Sequence, residues 1–116
     1  MVDRVAPNIG LIEFPADDAQ RACAFWGGFL GVALKDRTVG EGWQTEQTEP
    51  AVGVHERGLG PGDSFSLPYF EVDDVAETLQ RIRSLGGTVV HPGDAFAVCR
   101  DSEGNPFGLA AAGLQS

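Results

Sequence analysis

Apolar and polar positions divide this chain into two halves with the same plan. NIGLIEF (8–14) is apolar and β-branched, lies between Pro7 and Pro15, and predicts a strand. Asp17, with Gln20 three residues on, looks like a helix N-cap and its box partner. Ala19, Ala22, Cys23, Trp26, Phe29 and Leu30 then recur at helical spacing as one apolar stripe, and Gly31 closes the helix at its C′ position. LPYFEV (67–72) is the matching strand in the second half. Asp74 with Glu77 repeats the cap, Val75, Leu79, Ile82 and Leu85 form the stripe, and Gly86-Gly87 stop the helix.

Three short strand candidates follow each helix: VALKD (32–36), GWQTEQ (42–47) and AVGVHE (51–56), then TVVH (88–91), AFAVCR (95–100) and PFGLAA (106–111). Gly40-Glu41-Gly42, Glu49-Pro50, Pro92-Gly93-Asp94 and Glu103-Gly104-Asn105 read as the turns between them. The copies are offset by about 55–58 residues, and Glu13 and Glu71 fall at matching places, each one residue before its strand's last apolar residue. The plan is βαβββ twice, an α+β fold within one domain (1–116): module one at about 5–57, a glycine- and proline-broken linker at about 58–64, and module two at about 65–113. One four-stranded sheet with a helix on one face leaves its other face bare, so two curved mixed sheets are expected to pair around a concave space.

Composition removes several function classes. Seventeen acidic against eight basic residues give a net charge of −9, which opposes binding DNA, RNA or an anionic membrane through a basic face. Cys23 and Cys99 are the only cysteines, too far apart for a zinc knuckle and too few for a disulfide framework. No apolar run resembles a signal peptide or reaches the ~18 residues of a membrane span. The expectation is a soluble, cytoplasmic protein. No Walker-type loop or G-x-G-x-x-G turn appears, so no nucleotide cofactor is expected.

The FPADDAQRACAFWGGFLG opening, its FEVDDVAETLQRIRSLGG counterpart and the closing RDSEGNPFGL resemble the superfamily of glyoxalases, bleomycin-resistance proteins and extradiol dioxygenases, also called vicinal oxygen chelate proteins. The resemblance covers nearly the whole chain. Its closing pattern is close to D-P-E-G-N-x-F, with Ser102 where proline is usual. It implies a pocket inside the curved sheets and a homodimer. It also implies, in metal-dependent members, His, Gln or Glu ligands on the first and fourth strands of each module. Those places fall here on Leu11, Leu67, Gly108 and, more loosely, Gly53 or His55. Leucine and glycine bring no donor atom, and a divalent ion needs three or more protein ligands, so no metal and no cofactor are expected.

Strand alternation then selects the candidates for chemistry. If Leu11 faces the cavity, so does Glu13; if Leu67 does, so do Tyr69 and Glu71. Glu13 and Glu71 form either a carboxylate pair in a pocket, or acceptors satisfied by neighbouring backbone or a basic side chain. His55 faces the cavity as ligand or base, or points to solvent beside Glu56 and Arg57. Trp43 is either a platform for flat or cationic ligands or a packing residue, and Tyr69 either lines the pocket or belongs to the core. Phe25 and Trp26 read as packing, His91 as a solvated turn, Cys23 as buried and inert, and Cys99 as a strand residue without a base. In RDSEGNPFGL, Asp101 caps a turn, Gly104-Asn105 supply positive φ, and Phe107 packs the core.

Two functions follow. One is a bleomycin-resistance-like protein that binds a small organic molecule, aromatic or cationic, in the cavity without a metal and sequesters it. Its candidate lining is Glu13, Trp43, His55, Tyr69, Glu71, Leu11, Leu67 and Gly108. The other is an enzyme of the same superfamily, a lyase, isomerase or dioxygenase, using Glu13, Glu71 and His55 for an unusual metal site or for proton transfer.

Overall fold

The computed structural model describes residues 6–38, 40–60 and 63–112. Pro61-Gly62 of the expected linker and the outermost residues of both modules lie outside the described residues. The element order is β1 (Ile9–Ala16), α1 (Ala19–Leu30), β2 (Lys35–Asp36), β3 (Trp43–Gln44), β4 (Ala51–Glu56), β5 (Leu67–Val72), α2 (Val75–Ser84), β6 (Thr88–His91), β7 (Phe96–Arg100) and β8 (Pro106–Ala111). This is βαβββ twice in one curved, open α+β architecture.

The expected pair of sheets is a single sheet of eight strands, in the order β2-β3-β4-β1-β5-β8-β7-β6. The first strands of the two units, which would otherwise be open edges, pair antiparallel through Leu11↔Tyr69 and Glu13↔Leu67. β1 also pairs parallel with β4, bringing Glu13 opposite Gly53, and β5 pairs parallel with β8, bringing Tyr69 opposite Gly108. β1 continues through Pro15 because its pairing with β5 ends at Glu13, so the missing N–H faces an open side there. β2 and β3 are shorter than their sequence patterns suggest. Gly40 and Gly42 hold φ of 80° and 113°, turning the chain back between them.

The first helix cap lies one residue later than Asp17. Asp18 accepts from the Arg21 amide at 3.0 Å, while Asp17 takes the Arg57 guanidinium at 2.8 Å. Asp74 caps α2 by accepting from the Glu77 amide at 3.0 Å. The step from Asp18 to Asp74 carries Glu13 to Tyr69 and Pro15 to Glu71. The structural counterpart of Glu13 is therefore Tyr69, and the matching of Glu13 with Glu71 is corrected.

The core lies under α2, where Val72, Val75, Leu79, Ala97, Cys99 and Leu109 are buried; Phe70 and Phe107 pack against them and meet each other edge to face. α1 buries no residue. Trp26 stacks on Phe14 with ring centroids 4.4 Å apart, but Phe25 and Phe29 remain 63% and 72% exposed, so Phe25 does not pack inward as its stripe suggests. At the last turn, Asp101 accepts from the backbone of Glu103 and Asn105 at 2.9 Å each. Only Gly104 there takes positive φ, so Asn105 does not share that role. RDSEGNPFGL is thus a capped hairpin turn feeding β8.

Candidate functional site

Alternation along β1 divides its side chains between the sheet's two faces. Phe14 meets Trp26 on the helical face, so Leu11 and Glu13 belong to the opposite, concave face. Glu13 is only 4% exposed, and a buried carboxylate requires charge and hydrogen-bond partners. It has both. Oε2 accepts from Nη2 of Arg37 in a short ion pair, and Oε1 meets Nδ1 of His55 at 2.8 Å.

Arg37 follows β2 and is itself fixed on three sides. Its Nε donates to Oε1 of Gln44 at 2.8 Å, its Nη1 to the Glu41 carbonyl at 3.1 Å, and its backbone N–H to the Gly42 carbonyl at 3.0 Å. Gly53 makes the pair possible, since a Cβ there would strike both the guanidinium and the carboxylate. Burial presses the Arg37 pKa down, and the Tyr69 phenol nearby opposes that fall.

His55 reaches this cluster from β4. Its Nδ1 is committed to Glu13, and its Nε2 is buried without a hydrogen-bond partner of acceptable geometry. Burial lowers the ring's pKa; Asp63, through its charge and its backbone, pulls it up, and Arg37 and Arg57 push it down. The net fall has a physical reason despite the adjacent carboxylate: Arg37 already balances Glu13. Were Nδ1–H donated to Glu13, the neutral ring would present a lone pair at Nε2. A group neutral in the fold and charged when unfolded favours folding above its ordinary value of 6.5, and that contribution is lost as pH falls from there through the folded value. Urea unfolding at stepped pH is expected to show stability declining below 6.5 in the parent and a shallower decline in His55→Gln; identical slopes would remove His55 as the source.

Tyr69 lies on the same face, and its ring occupies the space that a side chain at Gly108 would need. Phe96 meets that ring edge to face at 6.2 Å. Burial raises the phenol's pKa, Arg37 lowers it and Asp63 raises it. Arg37 and Asp63 thus act on both His55 and Tyr69 and define one neighbourhood, with buried Leu11 and Leu67 as its floor.

Two expected lining residues lie elsewhere. Trp43 pairs with Val54 and borders a shallow cleft with Ala19, Gln20 and Cys23, which places it on the α1 face; its strand neighbour Gln44 is the one on the concave face. Glu71 is on the concave face but at the far end of β5, where its N–H donates to the Asn8 carbonyl at 2.9 Å. The Leu11↔Tyr69 pair separates it from Glu13, so the expected carboxylate pair does not form. Glu71 lies across Gly10, where a Cβ would come within 2.6 Å of its Cγ, and lines a cleft of about 640 Å³ with Gln44, Thr48, Glu46 and Glu49. Sequence reasoning missed Arg37 and Gln44. The available signal was Glu13 itself, because a carboxylate on a buried strand face calls for a cation.

The metal that the sequence resemblance implies does not fit these residues. Leu11, Leu67, Gly53 and Gly108 offer no donor, Glu13 is engaged by Arg37 and His55, and Glu71 is remote. Among the described residues, no group of three His, Cys, Asp or Glu could hold an ion. A site joining Glu13, His55 and Glu71 is therefore corrected to Glu13, His55 and Arg37. No helix of the described residues is long and apolar enough to cross a membrane.

A family model described as a glyoxalase-like domain matches residues 11–110. Among curated proteins, none matches the chain in sequence. Solved structures do resemble it. A methylmalonyl-CoA epimerase from Streptomyces coelicolor, in complex with a nitronate-propionyl-CoA, aligns with a TM-score of 0.66 at 16% identity, covering 97% of this chain and 99% of that one. A structure described as an NAD-dependent benzaldehyde dehydrogenase from Legionella pneumophila aligns at 0.68 with 11% identity, covering 87% and 96%. An uncharacterized protein from Methanosarcina mazei aligns at 0.60 with 15% identity, covering 89% and 92%. At such identities the likeness is one of fold.

Proposed function

We propose, on the premise that this chain belongs to the glyoxalase-like domain family, that it binds a small organic molecule on the concave face of its sheet without a metal. The observation that carries this reading is the unpartnered, buried Nε2 of His55. A ring nitrogen withdrawn from water with no partner is costly, and a hydrogen-bonding group of a ligand would relieve that cost. The ring that presents it is held by Glu13, which Arg37 holds in turn, with Gln44 accepting from Arg37. Tyr69 and Phe96 supply aromatic surface beside it, in place of Trp43. A cationic group would find its countercharge at Glu46, Glu49 and Glu71 in the neighbouring cleft, because the charge of Glu13 is already balanced by Arg37.

The test is a titration of the purified protein with aromatic alcohols and aromatic amines, read from NMR signals of His55 and Tyr69, beside calorimetry with zinc, nickel, manganese and iron(II). Ligands are expected to shift both residues and to weaken about tenfold or more in His55→Gln, the effect of losing roughly 1.4 kcal/mol. Tight one-to-one metal binding on the concave face would remove the metal-free reading. Ligands indifferent to His55→Gln would remove the site.

A further inference from the structure

We infer that the cleft between α1 and the β2–β3 hairpin is a second binding site, for a small organic ammonium ion held over the indole of Trp43 beside the carboxylate of Asp36. It lies on the opposite face of the sheet from the concave site and does not depend on the binding reading above. Strand register places its two polar features. Arg37 and Gln44 reach the concave face, where the guanidinium donates to the amide oxygen. Their chain neighbours Asp36 and Trp43 therefore turn to the other face. Asp36 and Trp43 are also direct partners across β2 and β3, which sets their Cβ atoms about 5 Å apart. A carboxylate and a half-buried indole thus stand side by side on the lining. Leu34, two residues before Asp36, joins them, and α1 adds Ala19 and Cys23 as the facing wall.

Charge decides what the cleft can hold. Asp36 makes no hydrogen bond or ion pair with any described residue. Lys35 borders the cleft, but its ammonium is matched by Glu46 at 3.4 Å. The positive end of α1, which would attract an anion, is closed by Asp18, whose side chain accepts from the Arg21 amide at 3.0 Å. The negative charge of Asp36 also reaches across to the helix. Burial first, and that charge second, hold the Cys23 thiol above its ordinary pKa. Cys23 is thereby kept neutral and serves as apolar wall. The carboxylate and the negative face of the indole both favour a cation, while Leu34, Ala19 and Cys23 favour a hydrocarbon body behind it. The cleft has about 600 Å³, within the roughly 300–1,000 Å³ of small-molecule sites.

The experiment uses the full chain and two cations, choline and phenethylamine, with phenethyl alcohol as the uncharged isostere of the second. Each is titrated at neutral pH and followed by NMR of the Trp43 indole N–H and of the Cys23, Asp36 and Glu71 amides. Both cations should shift the Trp43 and Cys23 signals to saturation, and the alcohol should bind about threefold or more weakly. Asp36→Asn, an exposed change that keeps the fold, should weaken both cations about threefold or more, and Trp43→Leu should do the same. Circular dichroism confirms that each variant is folded. Equal binding of the alcohol, or cation binding indifferent to Asp36→Asn, overturns the ammonium class. Shifts confined to Glu71 put the cation in the concave cleft, which overturns this site and leaves the binding reading intact. The absence of any saturable shift at Trp43 overturns the site outright.

Discussion

Replacing Arg37 with methionine is expected to destabilise the fold by about 3–5 kcal/mol, the cost of leaving a buried carboxylate without its cation. The size follows from burial. The side chains of Arg37 and Glu13 are 14% and 6% exposed, so water cannot screen the charge left behind. A domain of this size has about 5–15 kcal/mol to lose, so the variant should sit near the edge of folding at room temperature. Joining Arg37→Met with Glu13→Leu should recover most of the loss, because replacing both members of a buried pair by apolar groups is often neutral. Urea melts of the two single variants and the double variant measure this. A loss below about 1 kcal/mol in Arg37→Met would mean that the pair behaves as an exposed one and does not organise the site. The double variant carries a second consequence: His55 loses the acceptor of its Nδ1 proton, so its ligand affinity should stay low even where stability returns. Stability and binding would then separate, as expected if the pair exists to orient the imidazole.

The two halves of the fold were legible because their signals are local. Asp74, the Val75/Leu79/Ile82 stripe and the apolar-rich runs at 51–56, 67–72, 88–91 and 106–111 each name an element within one window, and the structure keeps those bounds. The join between halves was not local. An offset of 55–58 admits either Tyr69 or Glu71 as the partner of Glu13, and only strand pairing decides between them. Trp43 failed for a related reason: in a strand of two residues, a slip of one exchanges the faces, so Gln44 stands where Trp43 was expected. Arg37 was hidden because it belongs to a turn, and nothing in LKDRTVGEG says which way a turn residue points. The glycines were misread in kind. Gly53 and Gly108 looked like lost ligands, whereas each is the clearance that admits a neighbouring side chain.

That reading of Gly108 gives the other large expected effect. Gly108→Ala should destabilise by about 1–3 kcal/mol although its backbone is ordinary, because the new methyl meets the Tyr69 ring across the β5–β8 pair. Tyr69→Ala empties the same space and should cost about 3–5 kcal/mol by itself. In the double variant the methyl has room, so the combined loss should fall short of the sum by about 0.5–3 kcal/mol, the coupling expected of residues in direct contact. Additive losses would show that the ring moves aside freely and that Gly108 is only a spacer. The same contact decides whether a ligand placed at Gly108 could reach the concave face. A carboxylate introduced by Gly108→Glu has to displace Tyr69 before it can reach the concave face, and Leu11 and Leu67 would offer it no companion ligand. Calorimetry of Gly108→Glu should therefore show no tight zinc or manganese site, with or without Tyr69→Ala. The aromatic ring fills the volume that a side chain at Gly108 would need, so packing and donor set act together against a ligand at this position.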